Sequence, residues 1–148
     1  MRKLLVILLL FQFLFVSCKV NNSLSTKADV EIYIDNIVWN HEEGTDLYTV
    51  SFNILLREKE GVPVTINEIL AAGYLDDVLF YEDGLFNLSG TLGELPAYGS
   101  WSHYWVSYLT AVQADNFLSA ESILAITVIG RDAHGNAISV TKTFKIGE

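Results

Sequence analysis

Alternation of apolar and polar residues sets in at Val30 and recurs almost to the end of the chain. Val30, Ile32 and Ile34 alternate with Glu31, Tyr33 and Asp35, and Ile37 and Trp39 continue in the opposite phase. A slip of one residue near Asp35-Asn36 reads as a β-bulge. Leu47 to Arg57 is the clearest strand: Tyr48, Val50, Phe52, Ile54 and Leu56 share one face, and Thr49, Ser51, Asn53 and Arg57 the other. Glu58-Lys59-Glu60-Gly61 turns the chain into a strand opening at Val62-Pro63-Val64, where proline is tolerated near a strand start. Asn67 to Asp77 is ambiguous. Ile66, Ile69, Leu70 and Tyr74 have helical spacing, yet Gly73 and the flanking strands favour an extended segment.

Further on, Val78–Tyr81 and Leu85–Leu92 read as short extended pieces broken by Glu82-Asp83-Gly84, and Gly93–Gly99 as a loop around Pro96. Trp101–Leu109 is the next strand, and Ala111–Ser122 a connection with room for a helical turn. Ile123–Arg131 is apolar on both faces, as a central strand is. Asp132-Ala-His-Gly-Asn136 signals a tight hairpin into Ala137–Ile146, where Ile138, Val140, Phe144 and Ile146 point inward. Lys142 shares their register, which reads as an inward lysine blunting an edge strand. About seven short strands with Gly- and Asp-marked turns predict an all-β chain, a single antiparallel β-sandwich over residues 29–148.

The first eighteen residues differ in kind. Arg2 and Lys3 precede an apolar run from Leu4 to Val16, interrupted by Gln12 and closed by Ser17-Cys18. A membrane-spanning helix takes roughly 20 apolar residues, so the run suits a signal-peptide core better than an anchor. This end resembles a bacterial lipoprotein signal. Phe15 stands where such signals usually carry Leu. The resemblance implies removal of residues 1–17, acylation of Cys18 as the new N-terminus, and a flexible tether over residues 18–28. Cys18 is the only cysteine, and each buried methylene of an acyl chain contributes roughly 0.8 kcal/mol, so two or more chains hold firmly. Lys19, where Asp signals inner-membrane retention, leans towards the outer membrane.

The Val30–Ile146 segment in turn resembles the immunoglobulin-like and fibronectin type III-like modules of bacterial surface proteins. The resemblance rests on Leu47–Gly61 running into Val62-Pro-Val, and on Ile123–Asp132 with the Gly135-Asn136 turn. It carries no motif tied to chemistry, and the cysteine pair of antibody domains is absent.

The formal net charge is −9 and becomes more negative once Arg2 and Lys3 leave with the leader. So acidic a surface argues against nucleic acid as a partner. His41, His103 and His134 share no metal-ligand spacing, and no Gly-x-Ser-x-Gly elbow or phosphate-cradling glycine loop is present. No catalytic residue, metal site or cofactor is assigned. Two acidic loops, Glu42-Glu43-Asp46 and Asp76-Asp77-Glu82-Asp83, suit calcium in donor type but match no EF-hand spacing.

One cluster stands out for recognition. Trp101, His103 and Trp105 share one side of a strand, and Tyr104, Val106 and Tyr108 the other. Two residues along a strand span about 6.6 Å, the scale of a sugar ring or side-chain anchor. If one row is exposed, Trp101 and Trp105 form the first candidate binding face and Tyr104 and Tyr108 the second. The expected function is a lipid-anchored, non-catalytic binding, adhesion or structural module of the cell envelope, taking a protein or glycan ligand. The alternatives are a calcium- or glycan-binding envelope protein and an envelope hydrolase.

Overall fold

Nearly every polar–apolar alternation becomes a strand. The computed structural model describes residues 27–88 and 90–146, in which eight strands and one short helix follow one another. The leader over residues 1–17, Cys18 and the tether as far as residue 26 lie outside the described residues. The tether's expected last residue, Ala28, is already buried, its N–H donating to Asp132 Oδ2.

β1 (Val30–His41), β2 (Tyr48–Glu58) and β6 (Ser100–Leu109) form a three-stranded antiparallel sheet with β2 in the middle. β3 (Val64–Leu75), β4 (Val78–Phe86), β7 (Ile123–Asp132) and β8 (Ala137–Lys145) form a larger antiparallel sheet in the order β4-β3-β7-β8. β5 (Gly93–Leu95) adds to β3 beside β4. The expected slip in β1 is there: its register to β2 shifts between Asp35 and Val38, and Asn36 takes a left-handed φ of 52°.

One core lies between the sheets. Ile32, Val50, Phe52, Ile54 and Leu56 come from the smaller sheet, and Ile66, Ile69, Leu124, Ile126 and Val128 from the larger one. Each such side chain contributes roughly 1.5–3 kcal/mol on burial. β7 sits between β3 and β8 with both edges paired; its inward Leu124, Ile126 and Val128 are buried, while Ile123, Thr127 and Ile129 on its other face are half-buried. The ambiguous stretch is strand throughout. A register shift between Ile66 and Glu68 moves the inward phase from Ile66 to Ile69, and this bulge imitates helical spacing.

Two expectations change, and the room left for a helical turn is filled. β4 runs unbroken through Glu82-Asp83-Gly84; the turn before it is Asp76-Asp77, both with positive φ (50° and 62°), as a two-residue hairpin loop requires. The loop over Gly93–Gly99 contains β5. The connection after Leu109 holds a helix, α1 (Ala111–Phe117), opened by a capping box in which Thr110 Oγ1 accepts from the Gln113 N–H and the Gln113 side chain accepts from the Thr110 N–H. α1 drops Phe117 into the end of the sandwich, against Trp39, Phe80 and Tyr81. Gly73 leaves room for that ring, since a Cβ there would lie 2.8 Å from it.

Lys142 differs too. It is exposed, and its Nζ lies 4.7 Å from the Tyr33 ring centroid and 5.5 Å from that of Phe144. The ammonium sits over both rings and bridges β8 to β1 across one open side of the sandwich.

Candidate functional site

β6 holds the aromatic cluster, and its pairing with β2 decides which row is buried. Trp105 is opposite Phe52 and His103 opposite Ile54, both core positions of β2, so the Trp101–His103–Trp105 row turns inward. Trp105 is 4% exposed and stacks on Phe52 with ring centroids 6.0 Å apart. Trp101 is half-buried, parallel to His103 at 5.8 Å, with its indole packed against Gly93. A Cβ at position 93 would meet the indole nitrogen at 2.5 Å. Burial holds the His103 imidazole below its ordinary pKa. Trp105 therefore cannot present an exposed face, and Trp101 presents only part of one.

The other row faces water. Tyr104 is 59% and Tyr108 73% exposed, with Val106 between them. Their cross-strand neighbours on β2 are Asn53, Ser51 and Thr49. Ser51 is buried although it lies on the outer face, because Val38 of β1 and Val106 of β6 flank it in register. Leu55 and Tyr33 extend the apolar part of this face towards β1. Tyr33 donates to Glu31 Oε2 and carries the Arg57 guanidinium 5.5 Å from its ring centroid.

At the end of the sandwich where β6 stops, the tyrosine row runs into a groove. This open depression of about 650 Å³ lies between the β1–β2 loop and the start of α1 and is lined by Asp46, Leu47, Tyr108 and Val112 among others. Leu47 is half exposed and Val112 70% exposed, so three large apolar side chains from separate segments meet solvent together. Neither Leu47 nor Val112 carries a local signal, since the groove exists only once β2 brings them beside Tyr108.

On the side of β6 away from β2, the strand faces β4 across the second open side of the sandwich. Four side chains join the sheets there. Ser107 Oγ accepts from Trp105 Nε1 at 2.8 Å, donates to Asp83 Oδ2 at 2.6 Å and shares a hydrogen with Tyr81 OH. Tyr81 OH also lies 3.3 Å from Asp83 Oδ2, and the two hydroxyl hydrogens serve two of these three contacts at a time. Burial, with the Asp83 charge adding to it, pushes the Tyr81 phenol up to about 12. Chemically this is a latch: each member is held by the others. Beside it, Asp83, Leu85, His103, Trp105 and Val106 line a cleft of about 220 Å³.

Two buried carboxylates hold turns at the opposite end. Glu58 accepts from the N–H groups of Glu60, Gly61 and Tyr98 at 2.9, 2.7 and 3.0 Å. Burial raises its pKa, but these donors outweigh burial and hold it below the ordinary carboxylate range. Asp132 does the same for the hairpin, accepting from the His134 and Asn136 N–H groups at 2.9 Å.

The three histidines stay apart. His41, at the end of β1, stacks on Tyr48, at the start of β2, at 4.3 Å, and its Nε2 contacts Thr45 O in the loop between them; His134 sits in the β7–β8 hairpin. The expected acidic loops converge on no cation site: among the described residues, no group of three or more His, Cys, Asp or Glu side chains is placed to hold a metal.

No family model and no curated protein matches the chain. Among solved structures, it is similar to a Northeast Structural Genomics Consortium target, SoR45, at 12% identity and a TM-score of 0.56, over 82% of this chain and 86% of that one. It is equally similar to the putative ApaA protein from Bordetella pertussis, at 11% identity and a TM-score of 0.56, over 80% of this chain and 93% of that one. At such identities the likeness concerns the fold.

Proposed function

We propose that this chain is a lipid-anchored module of the bacterial cell envelope, an immunoglobulin-like or fibronectin type III-like β-sandwich that binds a protein or glycan and carries out no catalysis. The strand order supports the sandwich type: β1-β2-β6 faces β4-β3-β7-β8, with crossing connections between the layers. The leader ending at Ser17-Cys18 supports acylation, and Lys19 supports the outer membrane over the inner.

The observation that carries the reading is polarity along the long axis. At one pole the N–H of Ala28, the inner end of the tether, donates to Asp132, and that of the next residue, Asp29, donates to Glu58. The groove of Leu47, Tyr108 and Val112 lies at the other, beyond the far end of β1. Twelve residues of strand separate the poles, roughly 35–40 Å. A chain held at Cys18 thus presents the groove of Leu47, Tyr108 and Val112 away from the lipid. The Tyr81–Asp83–Ser107 cluster is taken up by internal hydrogen bonds, which favours a binding role over a hydrolytic one.

Site-specific photo-crosslinking in intact cells tests this. A benzophenone side chain at position 108 should trap an envelope component, and the same group at Lys59, near the tethered pole, should not. Equal adducts from both positions, or none from position 108, would sink the binding face. Cys18→Ser should abolish acyl labelling and membrane retention; a variant still retained and labelled would sink the anchor.

A further inference from the structure

An edge strand offers a row of unpaired main-chain N–H and C=O groups, and proteins guard such rows with charge, proline, bulges or cover. Setting aside the three-residue β5, three of the other four outer strands here are guarded. β1 is bulged at Asp35–Val38 and bridged by Lys142. β4 carries Glu82 and Asp83, and β8 carries Lys142 and Lys145. β6 has none of these devices. Ser-Trp-Ser-His-Tyr-Trp-Val-Ser-Tyr-Leu contains no Asp, Glu, Lys, Arg or Pro, and its ten-residue register with β2 is unbroken. β6 pairs with β2 alone, and among the described residues no loop bond reaches its main chain.

What lies beside that edge defines the occupant. The cleft between β6 and β4 is floored by Trp105 and Leu85 and has Asp83 on its wall. A strand laid along β6 would send alternate side chains into this cleft and the others onto the outer face beside Tyr104 and Val106. The net charge of −9 favours a basic incoming segment.

We propose that the free edge of β6 takes up an extended segment of another polypeptide as an added strand, with apolar side chains entering the cleft at Trp105 and a lysine or arginine meeting Asp83. Main-chain hydrogen bonds supply the attachment, and the cleft selects the side chains. This rests on the binding-module reading above and adds the mode of binding and the chemistry of the partner. A second copy of this chain is the poorer fit, since pairing β6 with β6 also brings the acidic β4 edges of both copies together.

The test is amide hydrogen exchange on the full chain in detergent micelles, followed by mass spectrometry with fragmentation to single residues. The probe is a Lys/Val peptide of about nine residues, its cleft-facing alternate positions Val except for one Lys placed to reach Asp83 and the positions between them Thr, at about 1 mM to allow for weak binding. Two controls accompany it: the same peptide N-methylated at alternate amides, and the same peptide with Glu in place of its Lys. The expected result is about tenfold or greater slowing at alternate amides of Ser100–Leu109 with the Lys/Val peptide and with neither control. Equal slowing by the N-methylated peptide would mean adsorption through side chains and would overturn strand addition. Protection of this strand without peptide, deepening with protein concentration, would make a second copy the occupant and likewise overturn it. So would exchange unchanged by every peptide. If crosslinking from position 108 persists in that last case, the binding-module reading stands and only the strand mode falls; loss of both takes both.

Discussion

Ser107→Ala is the most informative single perturbation of this sandwich, because one buried hydroxyl serves three partners. The side chain is 2% exposed, so water cannot replace what the alanine removes. Trp105 Nε1–H, which donates to Ser107 Oγ at 2.8 Å, is left unsatisfied in the core. Leaving a buried donor without an acceptor costs about 1–3 kcal/mol. The 2.6 Å bond to the Asp83 carboxylate is lost as well, and a bond to a charged group contributes about 1.5–3 kcal/mol. Tyr81 OH keeps Asp83 at 3.3 Å and softens the loss. A net destabilisation of about 3 kcal/mol is expected, which for a domain of this size lowers Tm by about 12 °C.

Urea or thermal unfolding of the full chain in detergent measures it. A double-mutant cycle makes the argument specific to the hydrogen bond. Trp105→Phe removes the donor while keeping an aromatic ring against Phe52, so Ser107→Ala should cost about 1–2 kcal/mol less in that background. A Ser107→Ala loss below about 1 kcal/mol, or strict additivity in the cycle, would refute the latch.

Trp105→Ala should cost about 3–5 kcal/mol, whereas Tyr108→Ala should leave the melt within about 0.5 kcal/mol of wild type and, on the proposed binding role, lower the crosslinking obtained from a benzophenone placed at position 112 instead; calorimetry of the two variants separates the buried row from the exposed one. Tyr81 should be among the last tyrosines to ionise: its folded pKa is raised to about 12 from an unfolded value of 10.0, so its contribution is fully present below pH 10 and is lost as pH rises towards 12. Ultraviolet titration and alkaline melts of Tyr81→Phe check this, the variant lacking that part of the alkaline loss. Glu58 behaves with the opposite sign: its folded pKa lies below the ordinary 4.5, so its contribution is present above that value and is lost on acidification through the folded pKa. Glu58→Gln should therefore cost stability at neutral pH and lose less on acidification than wild type, read from urea midpoints at the two extremes.

The parts of the fold legible in the sequence are those with one wet and one dry face. β2 is the case in point: Val50, Phe52, Ile54 and Leu56 are buried and their alternates are not all so, because a single sheet separates core from solvent there. β4 was not legible as one strand. Glu82-Asp83-Gly84 has turn composition, and the reason Asp83 can stand mid-strand is its bonds to Ser107 and Tyr81, one of them a partner 24 residues away. The actual turn, Asp76-Asp77, lacks the glycine that would have marked it. α1 did have a signal. Thr110 and Gln113 form a capping box, and the pattern Thr-x-x-Gln ahead of Ala114 and Phe117 announces a helix start.

For the candidate site, alternation along Trp101–Tyr108 sorts the residues into two rows, but nothing within the strand ranks them. Tryptophan and tyrosine are both common in cores and at interfaces, so residue type does not decide the matter. The decision comes from β2. Phe52 opposite Trp105 and Asn53 opposite Tyr104 commit the tryptophan row to the core and the tyrosine row to solvent. Such a pairing is a contact between segments some fifty residues apart, of the kind that local pattern cannot supply. What the strand does declare locally is its lack of charge. Ten residues without a single Asp, Glu, Lys or Arg are conspicuous in a chain of net charge −9. A central strand explains that composition by burial on both sides. β6 is an edge strand, with Tyr104, Val106 and Tyr108 in water, so burial within its own domain does not explain its lack of charge, whereas the strand addition proposed above would.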